Sequence, residues 1–271
     1  MAEIQEIRVN SWSELQGALY TNAWRADIER YRSPYAFRGQ AEAEHGLETS
    51  LCRLGGNFPR MEGHLLRNFR KYASTREVEQ DSVWNWLALA KHHGLPTRLL
   101  DWSFSPLVAM HFATDNIRKF DLDGAIWMVN YHRVHEELPP PLRQALEEEG
   151  SDVFTVEMLS CVAETLKAFD RLSKDPFVLF IEPPSIDERI VNQFALFSLM
   201  SDVQASLEDW LRKRPEFYQK IILPAELKWE VRDKLDQANI TERVLFPGLD
   251  GLSAWLKRQY SPKNLSSSKP C

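Results

Sequence analysis

The densest set of reactive side chains lies in residues 92–106, which read His-His-Gly-Leu-Pro-Thr-Arg-Leu-Leu-Asp-Trp-Ser-Phe-Ser-Pro. A glycine and two prolines stiffen this stretch, and its polar groups are Thr97, Arg98, Asp101, Ser103 and Ser105. Polar groups held in a stiff loop between packed helices suit a binding or catalytic site. A purely structural interpretation stays open, in which Arg98 pairs with Asp101 and the serines cap the next helix.

A second candidate is the tripeptide Phe37-Arg38-Gly39. On a strand, Phe37 and Arg38 point to opposite faces, so burial of Phe37 directs Arg38 towards a cleft or solvent. Arginine suits phosphate because its planar fork donates two hydrogen bonds. Gly39 has no Cβ, which lets a ligand or another backbone segment approach closely. The alternative is an exposed strand arginine without a ligand.

A third candidate is the segment 187–193, Asp-Glu-Arg-Ile-Val-Asn-Gln, between two predicted strands. Glu188 and Gln193 could supply a carboxylate and an amide to one cleft. The alternative is a solvated connection between the strands. The sequence contains no HExxH motif, no Cys/His cluster and no glycine-rich phosphate loop of Walker or Rossmann type, so it predicts no metal ligands.

These candidates need helices and strands to position them. Apolar spacing predicts a helix from Ser82 to His93, which Gly94 ends, and Ser105-Pro106 begins another helix. Strands are predicted at Tyr35–Arg38, Gly124–Tyr131, Phe177–Ile181, Phe194–Leu199 and Phe217–Leu223. They do not alternate regularly with helices, so the sequence predicts an α+β fold whose central sheet is mainly antiparallel and flanked by helices.

The composition limits the class of protein. The 271 residues are 44% hydrophobic and 11% aromatic, which is too rich for a disordered chain. Apolar runs reach only five residues, as in Phe177–Ile181, so no membrane span and no membrane partner are expected. The acidic N-terminus predicts no secretory signal, and three cysteines without a CxxC motif favour a reduced, cytoplasmic setting. We expect one domain over residues 1–260, with a helical acidic insertion at about 132–175 and a flexible tail at 261–271.

The formal net charge of −6 is unevenly distributed. Residues 136–157 contain seven acidic residues and one arginine, a balance equal to that of the whole chain. Residues 53–71 contain five basic residues and one glutamate. An anionic ligand is therefore compatible with the net charge. The acidic segment could compete with that ligand for the basic stretch.

The sequence resembles the FRG-domain family, which takes its name from the Phe-Arg-Gly motif. The matching pieces are residues 37–40, 87–106, 109–113, 124–129, 188–197 and 245–252, and the acidic region matches least. This resemblance implies a protein of bacteria or their phages, in a toxin-like or anti-phage defence setting. The family itself does not imply a settled activity.

The layout is also distantly similar to that of ADP-ribosyltransferases. Such enzymes place an Arg-Gly strand end first, then a Ser/Thr-bearing strand or loop and an Ala-x-x-Phe helix, and finally a glutamate. The corresponding residues here are Arg38, then Thr97 and Ser103 before Ala109 and Phe112, and finally Glu188. This similarity implies an ADP-ribosyltransferase-like fold with NAD as the substrate.

The leading hypothesis is NAD-dependent ADP-ribosyl transfer to a protein or nucleic-acid acceptor, or NAD hydrolysis. Asp101 and Glu188 are the expected catalytic residues. The residues expected to bind the nicotinamide nucleotide are Arg38, Gly39, Thr97, Arg98, Ser103 and Gln193. Two rivals stay open: a non-catalytic module that binds nucleotides or nucleic acids, and a nuclease in which Asp101 and Glu188 hold a divalent ion.

Overall fold

The computed structural model describes residues 5–73, 78 and 80–263. Its strands are β1 (Glu6–Arg8), β2 (Trp24–Arg25), β3 (Arg30–Tyr31), β4 (Tyr35–Gln40), β5 (Leu100–Ser103), β6 (Gly124–Asn130), β7 (Val178–Ile181), β8 (Ala195–Met200) and β9 (Tyr218–Leu223). Its helices are α1 (Trp12–Leu19), α2 (Phe58–Tyr72), α3 (Val83–His92), α4 (Pro106–Ala113), α5 (Tyr131–Glu136), α6 (Pro140–Glu149), α7 (Val156–Val162), α8 (Leu166–Asp170), α9 (Glu188–Asn192), α10 (Leu207–Arg212), α11 (Lys228–Gln237), α12 (Glu242–Leu245) and α13 (Leu249–Gln259).

In the described part of the chain, seven strands form the central sheet in the order β1-β9-β6-β4-β5-β8-β7. Every neighbouring pair is antiparallel except β1 and β9, which are parallel. Strands β2 and β3 form a separate hairpin. The predicted α+β fold with a mainly antiparallel sheet is confirmed.

Alternation along the strands divides the core between the two faces of the sheet. On one face, side chains of β4, β6 and β9 pack against α1, α4 and α11, whereas those of β7 and β8 pack against α3 and α7. On the opposite face, Trp102, Trp127 and Phe180 belong to another apolar cluster. The first face therefore carries two groups of helices, which meet over the middle strands β4, β5 and β8.

Serine and glycine residues mark the helix boundaries beside the candidate residues, and Gly94 and Ser105 were predicted to do so. The Ser82 side chain accepts a hydrogen bond from the Asn85 amide at the start of α3, and Ser105 accepts one from the Val108 amide at the start of α4. Gly94 has φ of +81° just after α3, a conformation that glycine adopts without strain.

Two predicted connections contain regular structure. The stretch 92–106, predicted as a loop, includes the strand β5, because Leu100 and Trp102 are buried on one face of the sheet while Asp101 and Ser103 lie on the other. The segment 187–193 includes the helix α9, whose N-cap Asp187 accepts a hydrogen bond from the Ile190 amide. Both elements are short, so their periodicity was a weak signal.

Helices α5 to α8 occupy most of the connection between β6 and β7, where the sequence predicts an acidic insertion. Residues 264–271 of the predicted tail lie outside the described residues. Among the helices that the structure describes, none is both long enough and apolar enough to cross a bilayer.

Candidate functional site

A cavity of about 460 Å³ lies over β4, β5 and β8, between the C-terminal end of α3 and the helix α4, with α9 along its edge. This volume is within the range of small-molecule sites. Its polar lining residues are Arg38, Lys91, His92, Asp101, Ser103, Asp115, Arg189 and Gln193. Its apolar lining includes Phe37, Val108, Phe112, Ile190 and Phe197. The cavity is therefore lined by acidic, basic and apolar side chains.

Arg38 is held where the pairing of β4 with β5 is reduced to the single pair Phe37 and Ser103. Its Nη1 donates to the backbone oxygen of Asp101 at 2.7 Å and bridges the two strands. Its Nε is buried and has no hydrogen-bond partner among the described residues. Burial lowers the pKa of the Arg38 guanidinium, the Asp101 carboxylate raises it, and the charge of Arg53 lowers it further. The bond from Nη1 is the one hydrogen bond that Arg38 makes to the described residues, so its Nη2 retains hydrogen-bonding capacity for an anion.

Gly39 lines the cavity, but its missing Cβ serves the packing of the backbone. A Cβ at this position would collide with the carbonyl oxygen of Ala109 and would lie 2.7 Å from the Ala113 amide nitrogen. The glycine therefore lets α4 lie directly on β4. Of the two reasons that the sequence offered for this glycine, the close approach of another backbone segment is the one visible here.

Asp101 lies on β5 opposite Phe197 of β8, so both side chains are on the cavity face of the sheet. Its Oδ2 accepts a hydrogen bond from Lys91 Nζ at 2.6 Å, and 56% of its side chain is exposed. The pairing of Asp101 with Arg98, considered from the sequence, is absent from the described structure; Lys91 takes that place. At the same rim, His92 Nε2 lies 2.7 Å from Asp187 Oδ2.

Ser103 and Gln193 connect β5 to α9 and the C-terminal helices. The Ser103 hydroxyl donates to the backbone oxygen of Gln193 at 2.7 Å. The side-chain amide of Gln193 donates to the backbone oxygen of Leu245 at 2.9 Å, and Asn192 donates in the same way to Val244. Both predicted ligand-binding residues therefore line the cavity while positioning α9 beside it.

Thr97 and Arg98 lie away from this cavity. Thr97 is buried, and its hydroxyl accepts a hydrogen bond from the Leu99 amide. Arg98, with 4% of its surface exposed, forms ion pairs with Glu62 and Asp170. Burial alone would lower the pKa of Arg98, but the hydrogen bonds and charges of the two carboxylates raise it. The arginine is thus fully engaged within the protein.

Glu188 is exposed in the first turn of α9 and is not among the residues that line the cavity. The structure therefore brings Arg38 and Asp101 together but places Glu188 outside their cavity. Among residues 5–73, 78 and 80–263, no three or more His, Cys, Asp or Glu side chains are grouped as a metal ion would require.

Comparison with known proteins finds a family match for part of the chain. Residues 33–122 match the FRG domain, a segment that includes β4, α2, α3, β5 and α4. The chain carries an FRG domain. No curated protein and no solved structure matches the chain significantly.

The FRG domain supplies one side of the cavity, and the chain beyond it completes the other. Arg38, Asp101 and Asp115 lie within the matched segment, whereas Arg189 and Gln193 come from α9 and the residue after it. The antiparallel pairing of β5 with β8 joins the two parts. The cavity is therefore built by the FRG domain together with the later strand–helix segment.

Two charged lining residues were missed by the sequence reasoning. Asp115 follows α4, and the loss of hydration around its carboxyl, together with the charge of Glu242, raises its pKa to about 6. Arg189 is exposed on α9, with its guanidinium carbon 4.9 Å from the centre of the Phe246 ring. Arg189 stood in the third candidate segment, but Asp115 lay just beyond the stretch 92–106. No spacing pattern pointed to Asp115, because its place beside the motif depends on how closely α4 packs on β4 at Gly39.

Proposed function

We propose that the FRG-domain cavity binds a nicotinamide dinucleotide and that the protein cleaves its nicotinamide–ribose bond. The ADP-ribosyl group then passes to water or to a macromolecular acceptor. The observation that carries this proposal is the convergence of Arg38 with two carboxylates, Asp101 and Asp115, at one cavity. An arginine suits the pyrophosphate, and the carboxylates suit a ribose that becomes positively charged in the transition state.

The lining of the cavity is consistent with a nucleotide. Arg38 has an unused donor in Nη2, and Arg189 adds a second guanidinium to the lining. Two such cations can share the negative charge of a pyrophosphate. Phe112 and Phe197 provide apolar surface for the flat rings of the ligand. Charged and apolar groups are thus available for the charged and flat parts of one molecule.

The two carboxylates can divide the chemistry. The bond between ribose C1′ and the nicotinamide nitrogen breaks with its electron pair, so nicotinamide leaves as a neutral molecule and C1′ gains oxocarbenium character. The Asp101 side chain, held by Lys91, stabilises that charge. The acceptor oxygen or nitrogen then bonds to C1′, and its proton passes to Asp115, whose raised pKa suits a general base. In this proposal, Asp101 rather than Glu188 acts on the ribose.

The test combines calorimetric titration with NAD and chromatographic detection of released nicotinamide. We expect saturable binding and nicotinamide release, and about 10- to 100-fold weaker NAD binding in Arg38→Gln, because hydrogen bonds to charged groups contribute about 1.5–3 kcal/mol. Arg118→Gln removes an exposed arginine that does not line the cavity and serves as the matched control.

Absence of both NAD binding and nicotinamide release would refute the proposal. NAD binding without release, across a panel of protein and nucleic-acid acceptors, would support the rival in which the protein is a non-catalytic nucleotide-binding module. Equal losses in Arg38→Gln and Arg118→Gln would place the nucleotide elsewhere on the protein.

A further inference from the structure

The helix α2 presents a strongly basic exposed surface that the cavity does not use. Its exposed cationic side chains are Arg60, Arg67, Arg70 and Lys71, the exposed His64 lies between them, and the exposed Arg53 precedes the helix. The one acidic residue between positions 53 and 71, Glu62, is buried in its ion pair with Arg98. Folding therefore removes the negative charge from this surface and leaves the positive charges on it.

The basic residues form a row along the helix. Arg60, His64, Arg67 and Lys71 are separated by four, three and four positions, which places them on one face. The contact of Arg67 Nη2 with His64 Nδ1 at 2.9 Å is consistent with this row. Positions four apart are about 6 Å apart along a helix axis, so the row spans several phosphates of a nucleic-acid strand, whose charges lie about 3.4 Å apart along its axis.

Ion pairing leaves most of this charge available. Arg70 pairs with Asp81, but no carboxylate among the described residues pairs with Arg53, Arg60 or Arg67. The acidic segment 136–157 forms no ion pair with residues 53–71 in the described structure. Competition by direct contact between the two segments is therefore not observed, and the basic row remains exposed.

The apolar side of α2 is already occupied. Leu66 and Phe69 belong to the core that contains Trp86, and the Phe69 and Trp86 rings lie 6.4 Å apart. An amphipathic helix that binds a bilayer inserts its apolar face between the lipids. Because α2 buries that face within the protein, its exposed row suits a polyanion that requires only cationic contacts.

The charge of Arg53 and an ion pair of α2 connect the row to the strands that carry Arg38 and Asp101. The charge of Arg53 contributes to the lowered pKa of Arg38. Glu62 of α2 binds Arg98, which lies two positions before Leu100, the first residue of β5. A linear polyanion that extends beyond Arg53 is therefore the ligand that would join this surface to the cavity.

We propose that the basic row of α2 (Arg60, His64, Arg67 and Lys71, with Arg53 at its end) binds the phosphate backbone of a nucleic-acid strand. Resting on the proposed function, the bound strand is also the acceptor of the ADP-ribosyl group. Its nucleophilic nitrogen or oxygen bonds to C1′ as nicotinamide leaves, and its proton passes to Asp115.

Fluorescence anisotropy with labelled single-stranded DNA, single-stranded RNA and duplex DNA, without NAD, tests the surface alone. The triple variant Arg60→Gln, Arg67→Gln, Lys71→Gln removes three charges from the row. The control variant Lys174→Gln, Lys213→Gln, Lys257→Gln removes three exposed charges elsewhere. We expect at least about tenfold weaker binding in the α2 variant only, and a log–log salt slope reduced by about 2 on single strands.

Equal effects of the two triple variants, or no binding to any of the three nucleic acids, would overturn the proposal. Binding to phosphatidylserine vesicles but not to nucleic acid would overturn it in favour of a lipid surface. Incubation with labelled NAD then tests the acceptor separately: label on the strand supports it, and nicotinamide release without labelling refutes it. Nicotinamide release tests the cavity and nucleic-acid binding without NAD tests the α2 surface. Each measurement can fail while the other succeeds, so failure of the proposed function can be distinguished from failure of the proposed surface.

Discussion

Arg38 and Arg98 are both arginines of the FRG domain, and they have opposite surroundings. Arg98 is buried and binds two carboxylates, Glu62 and Asp170, so its charge is balanced within the protein. Arg38 makes one hydrogen bond to a backbone oxygen, and no carboxylate among the described residues pairs with it. Identical side chains thus stabilise the fold at one position and leave binding capacity at the other.

The difference shows which observation separates a structural arginine from a ligand-binding one. Burial is not sufficient, because the Arg38 Nε is buried as well. The decisive property is whether protein groups already satisfy the donors and the charge. By that criterion, the Arg98 region stabilises the fold and the Arg38 region is the candidate site. Three substitutions test this comparison, from the largest expected effect to the smallest.

Arg98→Met should produce the largest loss. It leaves the Glu62 carboxylate buried without its partner, and such a loss typically costs about 3–5 kcal/mol of unfolding free energy. Urea denaturation followed by far-UV circular dichroism measures it. NAD affinity of the folded fraction should stay unchanged, because Arg98 does not line the cavity.

A double variant serves as the control for this loss. Adding Glu62→Leu to Arg98→Met removes the unpaired carboxylate and should restore part of the stability. If Arg98→Met instead retains wild-type stability but loses NAD binding, the assignment of the two arginines is reversed.

The sequence predicted the larger elements better than the roles of individual side chains. The helix from Ser82 and the strands at Phe177 and Phe217 were found from capping residues and apolar patterns, which act locally. The partners of Arg98 could not be found this way, because Glu62 and Asp170 are 36 and 72 positions away. The pairing of a buried arginine is a property of the tertiary fold.

The candidate site was predictable in part. Arg38, Asp101, Ser103 and Gln193 were all singled out, and the sheet order brings them to one cavity. The placement of Asp115 beside them depends on how α4 packs over Gly39, which neither periodicity nor capping reports. Sequence patterns therefore predicted the residues of the motif, whereas tertiary packing determines which other residues line the same cavity.

Asp115→Asn should give the second-largest effect, as a loss of turnover. A general base typically contributes at least about 100-fold to the rate. Because the pKa of Asp115 is raised to about 6, turnover of the wild-type protein should rise with pH up to about 6 and level off above it. This dependence should disappear in the variant.

Asp115→Asn should lower turnover but raise the folding stability of the protein. A carboxyl whose pKa is higher in the folded than in the unfolded chain favours folding when protonated, and that contribution is lost as pH rises through about 6. Asparagine does not titrate, so Asp115→Asn should gain stability relative to the wild type between pH 4 and pH 7. Asp121→Asn, which alters an exposed carboxylate outside the cavity lining, is the control and should change neither profile. Loss of both stability and turnover at neutral pH would instead indicate a structural role for Asp115.

Lys91→Gln should give the smallest effect on stability. It compares an exposed ion pair at the cavity with the buried ion pair of Arg98. Lys91 and Asp101 form an ion pair as short as many buried ones, 2.6 Å, but more than half of the Asp101 side chain is exposed. Water screens such a pair, so its removal should cost less than about 1 kcal/mol of unfolding free energy. Turnover of NAD should fall by more than this stability change implies, because Asp101 loses the group that orients it in the cavity. A loss of several kcal/mol would instead make this pair equivalent to the pair of Arg98 with Glu62. Burial and charge balance would then not separate structural ion pairs from those of the cavity, and the unpaired Arg38 would be the remaining evidence for the site.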